Sequence, residues 1–390
     1  MPSLRLPRRN ARSAPRGRLS WAPWPTALLL AAAIAVPSFA NTAWMGMLFF
    51  VALYVGLGLG LNVVVGFAGL LDLGYVAFFA TGAYSVALLT SPASPLDMQL
   101  HFWAAAPIGL LLALVVGVLL GLPVLPLRGD YLAIVTLGFG EIIRLFLVNQ
   151  RDITNGSSGV SAIGDPSFFG WVVSSNTDWY YVAFSVAVIV AVLTARLRDS
   201  RVGRAWEAIR EDEDVAGAMG INTTKYKLMA FAIGALIGGL GGVLYAAFIG
   251  FVSPAAFSLQ VSIDVLSIVV IGGMGSTWGV IVGSFVIIGI PRILLFSETA
   301  DFLARFEWLR NGINNILGGL DAIVPAAIGE LPPAEDWGAE LGDDTRFVIF
   351  GALLVAIMVL RPSGIIPSRR RQLEFEHPPE AELSPVEGVA

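Results

Sequence analysis

Long apolar runs separated by short polar breaks dominate the chain. Runs near 25–40, 43–65, 74–90, 103–125, 131–148, 179–195, 228–250, 260–275, 278–296 and 346–360 approach the roughly 17–25 residues that a helix needs to cross a hydrocarbon core. Strand-type alternation with a period of two is absent, which argues against a membrane barrel. The pattern predicts an all-α polytopic membrane protein of about ten transmembrane helices, some of them interrupted by glycine.

Composition sharpens this picture. Apolar residues make up 56% of the 390 positions and charged residues only 14%, with a mean hydropathy of +0.76. A soluble domain carries about 25% charge, so neither a water-soluble globule nor a disordered chain fits. There is no cysteine, and the two histidines are His101 and His377. Thiolate metal sites, iron–sulfur clusters, cysteine nucleophiles and histidine clusters therefore have no material, and neither a metal site nor an enzymatic role is expected. No Gly-x-x-x-x-Gly-Lys-Ser/Thr phosphate loop occurs, so any ATP that is used must be bound by another chain.

The scarce charge is unevenly placed. Eighteen of the 24 Lys and Arg residues fall before the first run, in the 126–130 turn, in the 196–227 loop and after residue 360. Lys and Arg concentrate on cytoplasmic loops, and ten spans put all four segments on one face, with both termini in the cytoplasm. The expected organisation is a basic segment at 1–24, a transmembrane core at 25–296 that includes the cytoplasmic loop 196–227, an acidic extracytoplasmic insertion at 297–345, a last transmembrane helix at 346–361 and a cytoplasmic tail at 362–390. The insertion holds ten carboxylates from Glu298 to Asp344 against Arg305 and Arg310, and a helix is expected over part of it, at 300–317. The first 40 residues have two readings. Six arginines, an apolar run and Ser38-Phe39-Ala40 have the form of a cleavable signal. Interfacial Trp21 and Trp24 favour a retained anchor.

Two stretches break the apolar pattern, one in each half of the chain. They are Gly66-Phe67-Ala68-Gly69-Leu70-Leu71-Asp72-Leu73-Gly74 and Gly272-Gly273-Met274-Gly275-Ser276-Thr277-Trp278-Gly279. Non-helical backbone at membrane depth persists only where protein or a water-filled cavity satisfies it. Paired interruptions in two halves point to a transport path. Gly234, Gly238 and Gly242 instead fit a small-residue face for close helix packing. Asp72, Glu141, Arg144 and Asp264 lie in or beside apolar runs, where a charge costs about 2.5–3.5 kcal/mol and usually faces the bundle interior. Glu141 and Arg144 share a helical face and can neutralise each other. Asp72 can cap a helix beginning near Gly74 or line the path. The candidate path residues are Gly69, Asp72, Gly74, Glu141, Arg144, Asp264, Gly273 and Gly275.

The loop after the sixth run has no proline between Gly203 and Gly220, and Ala205, Ile209, Ala216 and Met219 fall on one helical stripe. This predicts a single amphipathic helix over 203–220, stopped by Gly220. Four consecutive acids, Glu211 to Asp214, disfavour an anionic lipid surface and favour a protein partner.

Five stretches resemble motifs of the inner-membrane permeases of ATP-binding-cassette importers for branched-chain amino acids. They are Gly66–Tyr84 (GFAGLLDLGYVAFFATGAY), Leu127–Leu145 (LRGDYLAIVTLGFGEIIRL), Gly203–Lys227 (GRAWEAIREDEDVAGAMGINTTKYK), Val269–Gly279 (VVIGGMGSTWG) and Phe350–Pro367, which contains Arg361-Pro362-Ser363-Gly364. Asp214 to Gly220 is similar to the Glu-Ala-Ala-x-x-x-Gly coupling pattern of such permeases, with Asp214 and Val215 in place of Glu and Ala. The resemblance implies a multi-pass subunit of the bacterial inner membrane with no cofactor of its own and no nucleic acid partner. It implies as partners a second related permease, two cytoplasmic ATP-binding-cassette subunits and a periplasmic or lipid-anchored amino-acid-binding protein. ATPase contact then falls on Glu207, Arg210, Asp214, Ala216 and Gly220. A permease for urea or amides is the alternative substrate class. A stand-alone secondary transporter is the alternative mechanism, but it has no use for an ATPase docking helix.

Overall fold

The computed structural model describes residues 42–127, 129–164, 166–168, 171–290, 292, 351, 355, 365 and 366. The predicted first span and the 297–345 insertion lie outside the described residues, as do the last span and the tail apart from Gly351, Val355, Ile365 and Ile366.

Among the described residues, five helices are long and apolar enough to cross a membrane. They are α1 (Thr42–Leu61, continued by a π-helical turn Asn62–Phe67), α3 (Phe102–Val124), α4 (Asp130–Asn149), α5 (Asn176–Arg198) and α8 (Thr223–Ile249). Between them lie a shorter apolar helix α2 (Val76–Thr90) and two short helices in the 196–227 loop, α6 (Arg201–Glu211) and α7 (Glu213–Ala218). After α8 come α9 (Leu259–Gly272) and α10 (Thr277–Ser284, continued by a π-helical turn Phe285–Gly289). Each apolar run between 43 and 290 therefore contains a helix among the described residues. The three short ones border the glycine breaks. At 1.5 Å per residue the 14-residue α9 rises only about 21 Å, less than a hydrocarbon core of about 30 Å.

Side-chain caps set where these helices begin. Ser175 and Asp178 form a reciprocal capping box at the start of α5. Ser200 caps α6, Asp212 caps α7, Asn222 caps α8 and Ser276 caps α10, each accepting backbone N–H groups that the first turn leaves unpaired. Two differences from the sequence reading follow. The third apolar run becomes helical at Val76 rather than at 74, because Asp72 and Gly74 close a turn on each other and the Val76 N–H donates to Ser262 Oγ at 3.1 Å. The 203–220 segment is two helices, because Asp212 is extended (φ −157°, ψ 113°) and its carboxylate restarts the helix by accepting the Asp214 and Val215 N–H groups at 2.9 and 3.0 Å.

Packing centres on α8, which lies against α2 and α3. Gly238 and Gly242 of the predicted small-residue face permit the approach to α2, while Gly234 faces Val64 in the π-helical turn after α1 and the neighbouring Gly239 meets Ala113 of α3. A Cβ at Gly238 would stand 3.1 Å from Phe78 Cβ, and one at Gly242 only 2.7 Å from the Ala83 nitrogen. Without a hydrophobic force between helices in lipid, such close backbone approach carries much of the association. Two short antiparallel pairings, Val160–Ser161 with Phe251–Val252 and Ser167–Phe168 with Trp171–Val172, tie the connections at the far ends of α5 and α8 from α6 and α7.

Candidate coupling site at two broken helices

The first break starts in the π-helical turn that ends α1 and reverses through Gly69 (φ +72°), a conformation that strains any residue with a Cβ. Its shape is held from within and from outside. Asp72 is fully buried and accepts the Gly74 N–H at 2.8 Å, while the Leu73 N–H donates to Thr136 Oγ1 on α4 at 3.0 Å. The second break is a tight reversal between α9 and α10, with Gly273 at φ +117° and Gly275 at φ +79°. Gly272 and Gly279 face each other across it with no room for side chains. Ile365 and Ile366 donate their N–H groups to Ile271 and Gly272 at 2.8 and 3.1 Å, so the residues following Arg361-Pro362-Ser363-Gly364 close its outer side.

The two breaks meet. The Gly275 N–H donates to buried Asn62 Oδ1 in the first π-helical turn at 2.8 Å, 213 positions away in sequence. Arg210, near the end of α6, donates from Nη1 to the Gly66 carbonyl at 2.6 Å. Arg198, the last residue of α5, reaches the Gly275 carbonyl at 3.4 Å. α6 itself is anchored by Trp206, which is fully buried and donates from Nε1 to the Tyr226 carbonyl at 2.6 Å. α7 is held by an ion pair of 2.5 Å between Glu213 and Lys227, whose side chain is only 3% exposed. A cleft of about 240 Å³ opens beside this assembly, lined among others by Leu71, Asp130, Arg210, Glu213 and Lys227.

Of the residues expected to meet an ATPase, Arg210 turns instead toward the first break, and Ala216 packs inward at 3% exposure. Glu207 is half-buried, and Asp214 and Gly220 are exposed. The predicted apolar stripe splits with the helix: Ala205 and Ile209 are buried, but Met219 is 80% exposed beside Val215 at 57%. Of the predicted path residues, Gly69 packs on Arg210, and Gly273 and Gly275 form the second break. Glu141 and Arg144 pair with each other on α4, Nε to Oε2 at 2.9 Å, and remain partly exposed. Asp264 accepts from Gln260 on its own helix at 2.8 Å. The sequence reading missed Asn62, Arg198 and the Lys227–Glu213 pair. Asn62 had one local signal, as the sole amide in an apolar run from Ala43 to Leu71.

Residues 44–305 match the family described as branched-chain amino acid transport system, permease component. The chain is 37% identical over 372 residues to the high-affinity branched-chain amino acid transport system permease protein LivM of Escherichia coli (strain K12), covering 90% of this chain and 76% of that protein. It is 25% identical over 351 residues to a probable branched-chain amino acid transport permease protein LivM of Methanocaldococcus jannaschii, covering 84% of this chain and 92% of that one. Identity to the permease protein LivH of Salmonella typhimurium is 25% over 256 residues, covering 62% and 81%. No solved structure matches the chain. By the extent of the family match and the identity to LivM, this chain belongs to the family of branched-chain amino acid transport system permease components.

Proposed function

We propose that the chain is one permease subunit of an ATP-driven importer of branched-chain amino acids in the bacterial inner membrane. In this reading it has ten spans and two cytoplasmic termini, and it pairs with a second, related permease. Two ATPase subunits dock on α6 and α7, and a binding protein delivers solute from outside. One observation carries the reading: the loop with the coupling-type motif is bonded to both breaks in the membrane helices, through Arg210 on Gly66 and Arg198 on Gly275. Such an arrangement serves a chain that must receive movement from a cytoplasmic motor.

Glu141 and Arg144 are placed on the path or against the second permease, because a partly exposed charge pair within an apolar helix is costly against lipid. Asp72 is read as the cap that shapes the first break, one carboxylate oxygen, Oδ1, accepting the Gly74 N–H. Asp264, Gly69, Gly74, Gly273 and Gly275 support or border the path.

The test is reconstitution with the second permease, the ATPases and the binding protein, followed by uptake of labelled leucine, isoleucine, valine and urea. ATP-dependent uptake of the three amino acids, each competing with the others, is the expected result. Uptake of urea alone moves the chain to the amide class. Uptake driven by an ion gradient without ATP replaces the importer by a secondary transporter.

A further inference from the structure

A break in a membrane helix leaves backbone groups that the protein must satisfy from elsewhere. Here two of the groups that satisfy them, Arg198 and Arg210, belong to the 196–227 segment that would receive the motor's movement. Gly66 offers its carbonyl to Arg210, and Gly275 offers its carbonyl to Arg198 and its N–H to Asn62. Arg198 ends α5 just before α6 and Arg210 lies in the last turn of α6, so the entry to that helix is tied to the second break and its end to the first. Asn62 then ties the two breaks to each other.

The space around these bonds is closed. A Cβ on Gly66 would come within 2.6 Å of the Gly275 nitrogen, and one on Gly69 within 2.7 Å of Arg210 Cγ. Asn62 Oδ1 is engaged, and its Nδ2 has no partner among the described residues. The tie between the breaks therefore rests on the Oδ1 acceptor alone. A charge-assisted bond to a carbonyl resists stretching more than a neutral one. Packed elements joined in this way shift between discrete arrangements rather than bending continuously.

We infer that Asn62, Arg198 and Arg210 form a transmission junction, by which displacement of α6 and α7 moves both breaks together. The inference rests on the importer reading and deepens it. The three are positioning residues that touch neither solute nor nucleotide.

The test uses the reconstituted complex and counts leucine molecules moved per ATP hydrolysed. Arg210→Met is expected to lower leucine uptake by about tenfold while ATP hydrolysis and the amount of ATPase retained stay within about twofold, as loss of one bond to a charged group predicts. Arg210→Lys keeps the charge and one donor and is expected to recover most of the uptake. Asn62→Leu is expected to lower the same ratio. Arg210 is exposed as a residue although its guanidinium reaches the carbonyl of buried Gly66, and an unchanged thermal midpoint of each variant checks that the fold is retained. An unchanged ratio in Arg210→Met overturns the junction, as does a parallel loss of uptake and ATPase binding.

A second measurement needs no transport. The chain has no cysteine, so spin labels at Met219→Cys and Leu71→Cys report the position of α7 relative to the first break. Arg210→Met is expected to broaden that distance distribution, and an unaltered distribution refutes the junction. A wild-type complex without ATP-driven uptake refutes the importer reading alone, and the label distances still decide the junction.

Discussion

Gly279→Ala is expected to unfold the hairpin of α9 and α10, whereas Gly56→Ala is expected to leave the protein at least as stable as it is. A methyl group at Gly279 would lie 2.7 Å from the carbonyl carbon of Gly272 and 3.0 Å from the Ile366 oxygen, and one at Gly272 would lie 2.5 Å from the Gly279 carbonyl carbon. These neighbours are backbone and cannot rotate away. Extra methylenes in a packed core cost about 1–3 kcal/mol when side chains can yield, so a cost of roughly 3 kcal/mol or more is expected where they cannot. At Gly56 nothing lies within 4 Å of the same methyl group among the described residues. Alanine there gains about 0.5–1 kcal/mol of helix propensity. The thermal midpoint of the chain purified in detergent checks both substitutions. Gly279→Ala unfolding at the wild-type temperature would show that the two glycines do not meet.

The contrast between those glycines marks what the sequence could and could not reveal. Both stand in glycine-rich apolar runs, and nothing local separates them. The long spans were legible because burial in hydrocarbon is decided by the composition of a 20-residue window, which the sequence displays directly. The two breaks were legible for the same reason, as departures from that window. Their meeting was not. Asn62 and Gly275 are 213 positions apart, and a tertiary contact at that separation leaves no periodic trace.

Charge was legible as a sum and misleading residue by residue. Arg198, Arg210 and Lys227 each count toward the face that the sequence predicts to be cytoplasmic. Yet Arg198 and Arg210 reach broken backbone and Lys227 is buried on Glu213. A count of lysines and arginines fixes which side a loop occupies, not where a long flexible side chain turns. The run Glu211 to Asp214 likewise reads in sequence as part of one continuous helix over 203–220. Its second member is instead an N-cap, the role aspartate favours when the helix must restart.

Placing a carboxylate on the outer ridge of α7 is expected to strip the ATPase from the complex without harming the permease. Val215 and Met219 stand one helical turn apart at 57% and 80% exposure, on a short segment whose inner side is fixed by Ala216 and the Glu213–Lys227 pair. Gly217 lies between them and Gly220 follows, each with open space beside it among the described residues. Two large apolar side chains held in water on a rigid mount suit insertion into an apolar socket, and truncating a central contact of that kind costs about 2 kcal/mol or more. Met219→Glu is therefore expected to weaken ATPase retention by about thirtyfold, while the thermal midpoint stays put because the side chain is already solvated. Ala216→Arg should behave differently. It forces a charge into a site that is 3% exposed, so it should lower the thermal midpoint as well as retention. Gly220→Val falls between them: the space is open, but φ +86° strains a β-branched residue. Co-purification of ATPase with each variant, read beside its thermal midpoint, separates docking from folding. Full retention by Met219→Glu at raised salt would move the docking surface away from α7 and back to the exposed side of α6.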